Sequence, residues 1–133
     1  MTTPAKRHSG FTLIELLIVM VIMMTALSLV APMGFEFLDK AYLQNDRVRL
    51  KNKLIGLRQQ AFINGREIRA DLSGHSLSVV LPSGKLQRID FDYIEFAANQ
   101  QVVISRNGFL RPLQIEFLAQ GKSHQLSLAD VNN

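Results

Sequence analysis

An apolar run of 21 residues lies near the N-terminus: FTLIELLIVMVIMMTALSLVA, residues 11–31. At about 1.5 Å of rise per residue, a helix of this length spans the hydrocarbon core of a bilayer, which is about 30 Å thick. Glu15 is the one ionisable residue in the run. A charged Glu at the bilayer centre costs about 2.5–3.5 kcal/mol on insertion scales, so we expect Glu15 to find a partner. The run predicts one transmembrane helix that carries an acid with a specific role.

The residues before the run form a short basic leader that contains Lys6 and Arg7 and no acid. Positive flanks stay in the cytoplasm, which predicts a cytoplasmic N-terminus and places the rest of the chain outside. An ordinary secretory signal is cut after its apolar run, at small residues. Here the plausible cut is at Gly10, before the run, so the helix would remain as an anchor. An uncleaved signal anchor is the alternative, but it explains neither Gly10-Phe11 nor Glu15.

The sequence SGFTLIE, residues 9–15, leads directly into the apolar helix. This arrangement closely resembles the cleavage and methylation signal of type IV pilins and of type II secretion pseudopilins. The resemblance implies that prepilin peptidase cuts after Gly10 and methylates the new N-terminal amine of Phe11. It also implies that Glu15 neutralises the N-terminal amine of a neighbouring subunit during assembly, whereas snorkelling near the helix end is the alternative for this acid. Pro32 lies where many pilins carry a helix-breaking proline.

The helical pattern continues beyond Pro32. Leu50, Leu54, Leu57 and Ala61 recur at spacings of four, three and four, which places them on one face of a helix. Leu43 extends this apolar stripe backwards by one heptad, and Asn64-Gly65 is a typical helix stop. We therefore predict one helix from about residue 11 to about residue 63, kinked or loosened near Pro32 and Gly34.

After the helix, short segments rich in Ile, Val, Leu and Phe alternate with turn signals such as Pro82-Ser83-Gly84 and Asn107-Gly108. No helical segment separates them, which favours an antiparallel meander or a small sandwich over a parallel sheet. The predicted strands are Glu67–Leu72, His75–Leu81, Leu86–Phe91, Tyr93–Ala97, Gln101–Ser105, Leu113–Ala119 and Gln125–Leu128.

The predicted fold class is α+β and pilin-like, with one long N-terminal helix packed on a C-terminal antiparallel β-sheet domain. The corresponding segments are a cleaved leader at 1–10, a transmembrane segment at 11–31, an amphipathic continuation of the helix at 32–65 and a periplasmic β-domain at 66–133. Residues 49–65 resemble the minor pseudopilin H and fimbrial protein T group in the spacing of Leu, Arg and Ala before a Gly.

Positive charge is concentrated in residues 40–69, where eight basic residues face two acids. The whole chain has a formal net charge of +4, and removal of the leader would leave +2. Three interpretations stay open for this basic stretch: a solvated helix face, contact with anionic lipid or with acidic grooves of neighbouring subunits, and nucleic acid. The residues that would contact nucleic acid are Lys40, Arg47, Arg49, Lys51, Lys53 and Arg58.

The sequence contains no recognisable enzyme motif, cofactor motif or metal-binding motif, so we expect no catalytic activity, no cofactor and no metal. His75 and His124 are expected to be surface residues of strands. Asp90 and Asp92 suggest calcium only weakly, because the segment fits a tight turn between strands. The chain has no Cys, whereas many pilins close a C-terminal loop with a disulfide, and this difference argues against a mechanically loaded major pilin.

From these features we expect a minor pseudopilin of a type II secretion system. Its expected partners are other pseudopilins, prepilin peptidase and the lipid of the bacterial inner membrane. A minor type IV pilin with a role in pilus assembly or DNA uptake is the alternative. A membrane-anchored structural domain is the third possibility.

Overall fold

One long helix, α1 (Leu13–Asn64), dominates the computed structural model, which describes residues 10–132. The predicted helix from about residue 11 to about residue 63 is therefore confirmed, with both ends shifted by one or two positions. The chain divides into two compact units, Met1–Asp39 and Lys40–Asn133, and α1 contributes to both. Most of the predicted leader, residues 1–9, lies outside the described residues.

Pro32 lies inside α1, and the helix is continuous on both sides of it. The expected break at Pro32 is therefore not present as an interruption of the helix. Proline lacks the N–H that would bond to the carbonyl oxygen of Ser28, so it removes one hydrogen bond from a helix of 52 residues. A bend at Pro32 and Gly34 stays a prediction.

The apolar stripe on the second half of α1 is buried, as predicted. Leu50, Leu54, Leu57 and Ala61 are at most 1% exposed. Leu43 is partly buried and packs against the same core. This face of the helix is covered by an antiparallel sheet, whose inward-facing side chains complete the core.

The sheet has seven strands, all antiparallel, and a short C-terminal helix follows it. The order across the sheet is β3-β2-β1-β4-β6-β7, and β5 also pairs with β4. The elements are β1 (Ile68–Gly74), β2 (Ser76–Val80), β3 (Leu86–Asp90), β4 (Glu95–Ile104), β5 (Leu110–Arg111), β6 (Gln114–Ala119), β7 (Lys122–Ser127) and α2 (Ala129–Asn132).

The strands alternate between the core and solvent. In β6, Ile115, Phe117 and Ala119 are buried while the residues between them are exposed. The same alternation buries Ile68, Ala70 and Leu72 of β1. The second half of α1 packs against these inward-facing residues, so the arrangement is α+β and pilin-like, as predicted.

Two of the predicted strands, Tyr93–Ala97 and Gln101–Ser105, are in fact one strand, β4. Between the pairs Leu72–Gln100 and Gly74–Phe96, β1 advances by two residues while β4 advances by four. The extra residues form a bulge in which Asn99 has a φ of 64°. A polar sequence at this point looks like the end of a strand, but a bulge absorbs it within the ladder.

The short elements β5 and α2 were not predicted. β5 consists of two residues, and α2 consists of four, which is too short for hydrophobic periodicity to be visible. The predicted turn at Asn107-Gly108 is confirmed: the N–H of Gly108 donates to the carbonyl oxygen of Ser105 at 2.8 Å. Gly108 has a φ of 81°, a conformation that other residues rarely adopt.

Candidate functional site

The predicted cleavage site lies immediately before α1. Gly10, Phe11 and Thr12 are not helical, and α1 begins at the next residue. Thr12 caps the helix, because its hydroxyl oxygen accepts the N–H of Glu15 at 3.4 Å and its carbonyl oxygen accepts the N–H of Leu16 at 3.2 Å. The Gly10–Phe11 peptide bond therefore precedes the first helical turn. No atom of the described chain lies within 4 Å of the position that a Cβ of Gly10 would occupy.

Glu15 lies in the first turn of α1, three residues after its cap. A carboxylate in the first turn interacts favourably with the positive end of the helix dipole. The carboxylate of Glu15 makes no hydrogen bond or ion pair with any other side chain in residues 10–132. The acid thus lies close to the predicted cleavage site and has no side-chain partner in the described part of the chain.

The apolar half of α1 is uncovered. Within residues 10–132, α1 is the one helix that is long and apolar enough to cross a membrane, and none of its apolar window is buried. The hydroxyl groups of Thr25 and Ser28 in this half are satisfied by main-chain carbonyl groups. Thr25 donates its hydroxyl to the carbonyl oxygens of Val21 and Ile22, and Ser28 donates to that of Thr25. Hydroxyl groups bonded in this way do not oppose burial in lipid.

Two of the basic residues that we considered for nucleic acid are engaged with the sheet domain. The guanidinium group of Arg47 lies 5.3 Å from the ring centroid of Phe117, and its Nη2 lies 3.1 Å from Nδ1 of His124. The guanidinium group of Arg49 lies 5.7 Å from the ring centroid of Phe91, and its Nη2 donates to the carbonyl oxygen of Asp90 at 3.5 Å. Both side chains therefore hold the helix to neighbouring groups of its own chain.

Lys53 and Arg58 are engaged in the same way. Lys53 donates to Oε1 of Gln87 on β3, and Arg58 donates to the carbonyl oxygens of Val131 and Asn132. Burial lowers the pKa of Lys53 below its ordinary value by desolvation. Its charge therefore opposes folding at neutral pH, and this cost falls as the pH rises through the lowered pKa of Lys53 and is gone above the ordinary lysine pKa.

Lys40 and Lys51 are the other two of the six basic residues that we considered for nucleic acid. Their side chains make no hydrogen bond or ion pair in the described part of the chain. Four of the six cations thus have partners within the molecule, and phosphate groups would have to compete with those partners. The geometry favours a structural role for most of this basic stretch.

Asp46 is an important residue that the sequence analysis missed. It is 2% exposed, and its Oδ2 accepts the N–H groups of Asp92 and Tyr93 at 3.0 and 2.8 Å. The sequence contains a signal for this role, because Asp46 lies three residues after Leu43 and four before Leu50, on the apolar stripe itself. An acid at such a position must find hydrogen-bond donors when the helix packs.

The residues considered for metal binding are arranged differently from a metal site. Asp90 accepts from Nε of Arg88 at 2.9 Å, and the loop after it donates two amides to Asp46. His75 lies in the turn between β1 and β2 rather than in a strand, and its Nδ1 is 2.8 Å from the carbonyl oxygen of Ile94. Residues 10–132 contain no group of three or more His, Asp or Glu side chains placed to hold a metal ion.

Comparison with known proteins gives one match. The prokaryotic N-terminal methylation motif matches residues 5–31, which are 27 of the 133 residues. No curated protein and no solved structure matches the chain significantly. The motif implies processing by prepilin peptidase, assembly with other pilin-like subunits and a membrane anchor, and proteins of this kind are generally structural rather than catalytic. Together with the uncovered apolar helix and the antiparallel sheet domain, the match indicates a type IV pilin-like, prepilin-type protein.

Proposed function

We propose that this chain is a minor pseudopilin, a low-abundance subunit of the periplasmic filament of a type II secretion system. The observation that carries the proposal is the N-terminal arrangement. A cleavable bond precedes the helix cap, and an unpartnered carboxylate lies one turn into an uncovered apolar helix. Helices of this kind bury their apolar surface against one another in a filament and against lipid before assembly.

In this proposal prepilin peptidase cuts between Gly10 and Phe11 and methylates the amine of Phe11. The freed amine then pairs with Glu15 of an adjacent subunit, because a buried carboxylate requires a cationic partner. Residues 1–10 are the leader, 11–31 the membrane segment, 32–65 the amphipathic continuation and 66–133 the periplasmic domain. The basic leader keeps the N-terminus on the cytoplasmic side of the inner membrane.

Two observations favour secretion over the alternative of a minor type IV pilin that takes up DNA. Four of the six basic residues considered for nucleic acid interact with other groups of the same chain. Few of their charges are therefore free to bind phosphate groups. The chain also lacks the Cys pair that closes a loop in many pilins. The resemblance of residues 49–65 to the pseudopilin H and fimbrial protein T group supports the same assignment.

Mass spectrometry of the intact protein tests whether the leader is removed and Phe11 is methylated. The protein extracted from membranes is expected to lack residues 1–10 and to carry one added methyl group. Gly10→Val is expected to block the cut and leave insertion intact, since a Cβ at position 10 would meet no described atom within 4 Å apart from those of its chain neighbours. An unprocessed wild-type chain in cells with an active prepilin peptidase would contradict the family assignment.

Deletion of the gene tests the role. We expect loss of exported proteins from the medium, with motility by pili and DNA uptake unchanged. Wild-type protein should restore export, and Gly10→Val should not. Loss of DNA uptake with intact export would instead support the minor pilin.

A further inference from the structure

The C-terminal end of α1 lies beside two turns of the sheet, and we call the exposed large or basic residues of these three segments the α1-end surface. Its members are Phe62, Ile63, Arg66, Lys85, Arg106 and Phe109. Arg66 and the turn between β2 and β3 line a common recess of about 550 Å³. Phe62 and the turn between β4 and β5 line a second recess, of about 330 Å³. The helix end therefore lies between the two turns.

This surface exposes large apolar side chains that the core does not use. Phe62 is 69% exposed, Ile63 is 79% exposed and Phe109 is 56% exposed. The two recesses on either side of the helix end are open and shallow enough to receive side chains of another molecule. Grouped exposed apolar residues around such recesses mark a site of interaction.

The same surface carries three basic side chains that have no acidic partner within residues 10–132. The side chains of Arg66, Lys85 and Arg106 are exposed and make no hydrogen bond or ion pair within residues 10–132. The acid next in sequence, Glu67, is already paired with Arg69 at 2.9 Å. Arg47, Arg49, Lys53 and Arg58 of α1 have partners within the molecule, whereas these three cations are free to bind an external partner.

We propose that the α1-end surface docks an acidic segment of another pilin-like subunit. Three unpaired cations complement a partner with negative charge, and the exposed Phe and Ile side chains complement a partner with apolar groups. Protein interfaces are enriched in aromatic residues and Arg, which matches this composition. The identity of the partner as a pilin-like subunit rests on the proposed function, whereas the acidic and apolar chemistry rests on this surface alone.

Single-stranded nucleic acid fits this surface less well. A nucleic-acid groove places cations along a continuous path beside aromatic rings. Here the three cations lie on three separate segments, namely the helix exit and two turns. Ile63, the most exposed of the apolar residues, also has no π face on which a base would stack.

Photocrosslinking in cells tests the proposal with the full chain. A photoreactive amino acid replaces Phe62 in one strain and Gln114, an exposed residue of β6, in a control strain. We expect position 62 to crosslink to a prepilin-type protein, through a segment in which Asp and Glu outnumber Lys and Arg. Position 114 should not give this product.

Charge variants separate this contact from a general effect of charge. Arg106→Glu, combined with the probe at position 62, should lower the yield of the crosslink about tenfold, because it places like charges against each other. Lys122→Glu is the matched control, since Lys122 is also exposed and has no side-chain partner in the described residues, and it is the first residue of β7. It should leave the yield unchanged.

The outcomes distinguish this proposal from the function proposed above. Absence of the crosslink, or equal yields in Arg106→Glu and wild type, would overturn the docking surface even if export still depends on the protein. Binding of a single-stranded oligonucleotide by the full chain in detergent, lost in Arg106→Glu, would overturn it in favour of nucleic acid. The predicted crosslink in cells whose export does not require the protein would support the surface and reject the secretion role.

Discussion

Asp46 joins α1 to the loop between β3 and β4 by accepting two main-chain N–H groups with one carboxylate oxygen. Its other oxygen lies 3.4 Å from the guanidinium group of Arg49. A buried carboxylate is costly unless its lone pairs are used, and here both oxygens have partners. This single side chain fixes the position of the loop relative to the helix, and the stacked rings of Tyr42 and Tyr93 lie beside it.

Asp46→Ala should lower the free energy of unfolding by about 1.5–3 kcal/mol, because two part-buried main-chain N–H groups lose their charged acceptor. Urea unfolding of the full chain in detergent, followed by the near-ultraviolet circular dichroism of the tyrosines, measures this change. Asp71→Ala is the control, since Asp71 is exposed and pairs with Gln101, and its effect should stay within about 0.5 kcal/mol. Equal effects of the two variants would contradict the role of Asp46.

Glu15 is the second residue whose role follows from its own chemistry. Glu15→Val should be cut and inserted like the wild type, because it only makes the helix more apolar, but it should not enter filaments. The amount of the subunit in sheared filaments measures incorporation. Ile14→Val, a neighbouring exposed apolar position, should be incorporated normally. Normal incorporation of Glu15→Val would refute pairing with the N-terminal amine.

At the scale of elements, α1 combines two surfaces in one helix of 52 residues. Its first half exposes apolar side chains all around, which suits lipid and other helices. Its second half buries one stripe against the sheet and uses basic residues beside the stripe to bond to β3, to β7 and to the C-terminal residues. Several basic side chains of the second half thus help to hold the helix against the sheet and the C-terminal residues.

Leu54→Ala should lower the free energy of unfolding by about 2–5 kcal/mol, since Leu54 is fully buried between α1 and the sheet. Val48→Ala on the same helix is the control. Val48 is 45% exposed, so its truncation should cost less than about 1 kcal/mol. The same urea titration compares the two, and similar losses would mean that the stripe is not the main contact between helix and sheet.

At the scale of the whole molecule, the C-terminal residues return to the helix and to the sheet. Arg58 donates to the carbonyl oxygens of Val131 and Asn132. The side chain of Asn132 accepts the N–H of Leu110 at 2.8 Å and donates to its carbonyl oxygen at 3.4 Å. These contacts hold the end of the chain between α1 and β5.

Arg58→Met should lower the free energy of unfolding by about 1.5–3 kcal/mol, because two carbonyl groups lose a charged donor while the aliphatic packing is kept. Hydrogen exchange of the main-chain amide of Leu110 should become faster, because its acceptor, the side chain of Asn132, is held less firmly. Lys51→Met is the control, because Lys51 lies on the same helix without a side-chain partner in residues 10–132, and should change stability by less than about 0.5 kcal/mol. An unchanged exchange rate of Leu110 in Arg58→Met would show that Arg58 does not hold the C-terminal residues in place.

The sequence by itself determined the features that depend on local pattern. An apolar run of 21 residues, a leucine stripe of helical period and strands separated by turn signals are each visible in a short window. They predicted the long helix, its buried face and an antiparallel sheet, and the motif SGFTLIE predicted a cleavage site beside the start of the helix. Only the tertiary structure decided the pairing of residues that are far apart in sequence.

Tertiary structure placed Asp46 against the amides of residues 92 and 93, and it brought Arg58 to the carbonyl groups of residues 131 and 132. It also placed Asn99 in a bulge of β4 and brought Arg66 beside the turn between β2 and β3. The physical reason is that the sequence around a charged residue can be the same whether its side chain faces water or a buried partner. Its role is fixed only when packing removes water and leaves a particular donor or acceptor within reach.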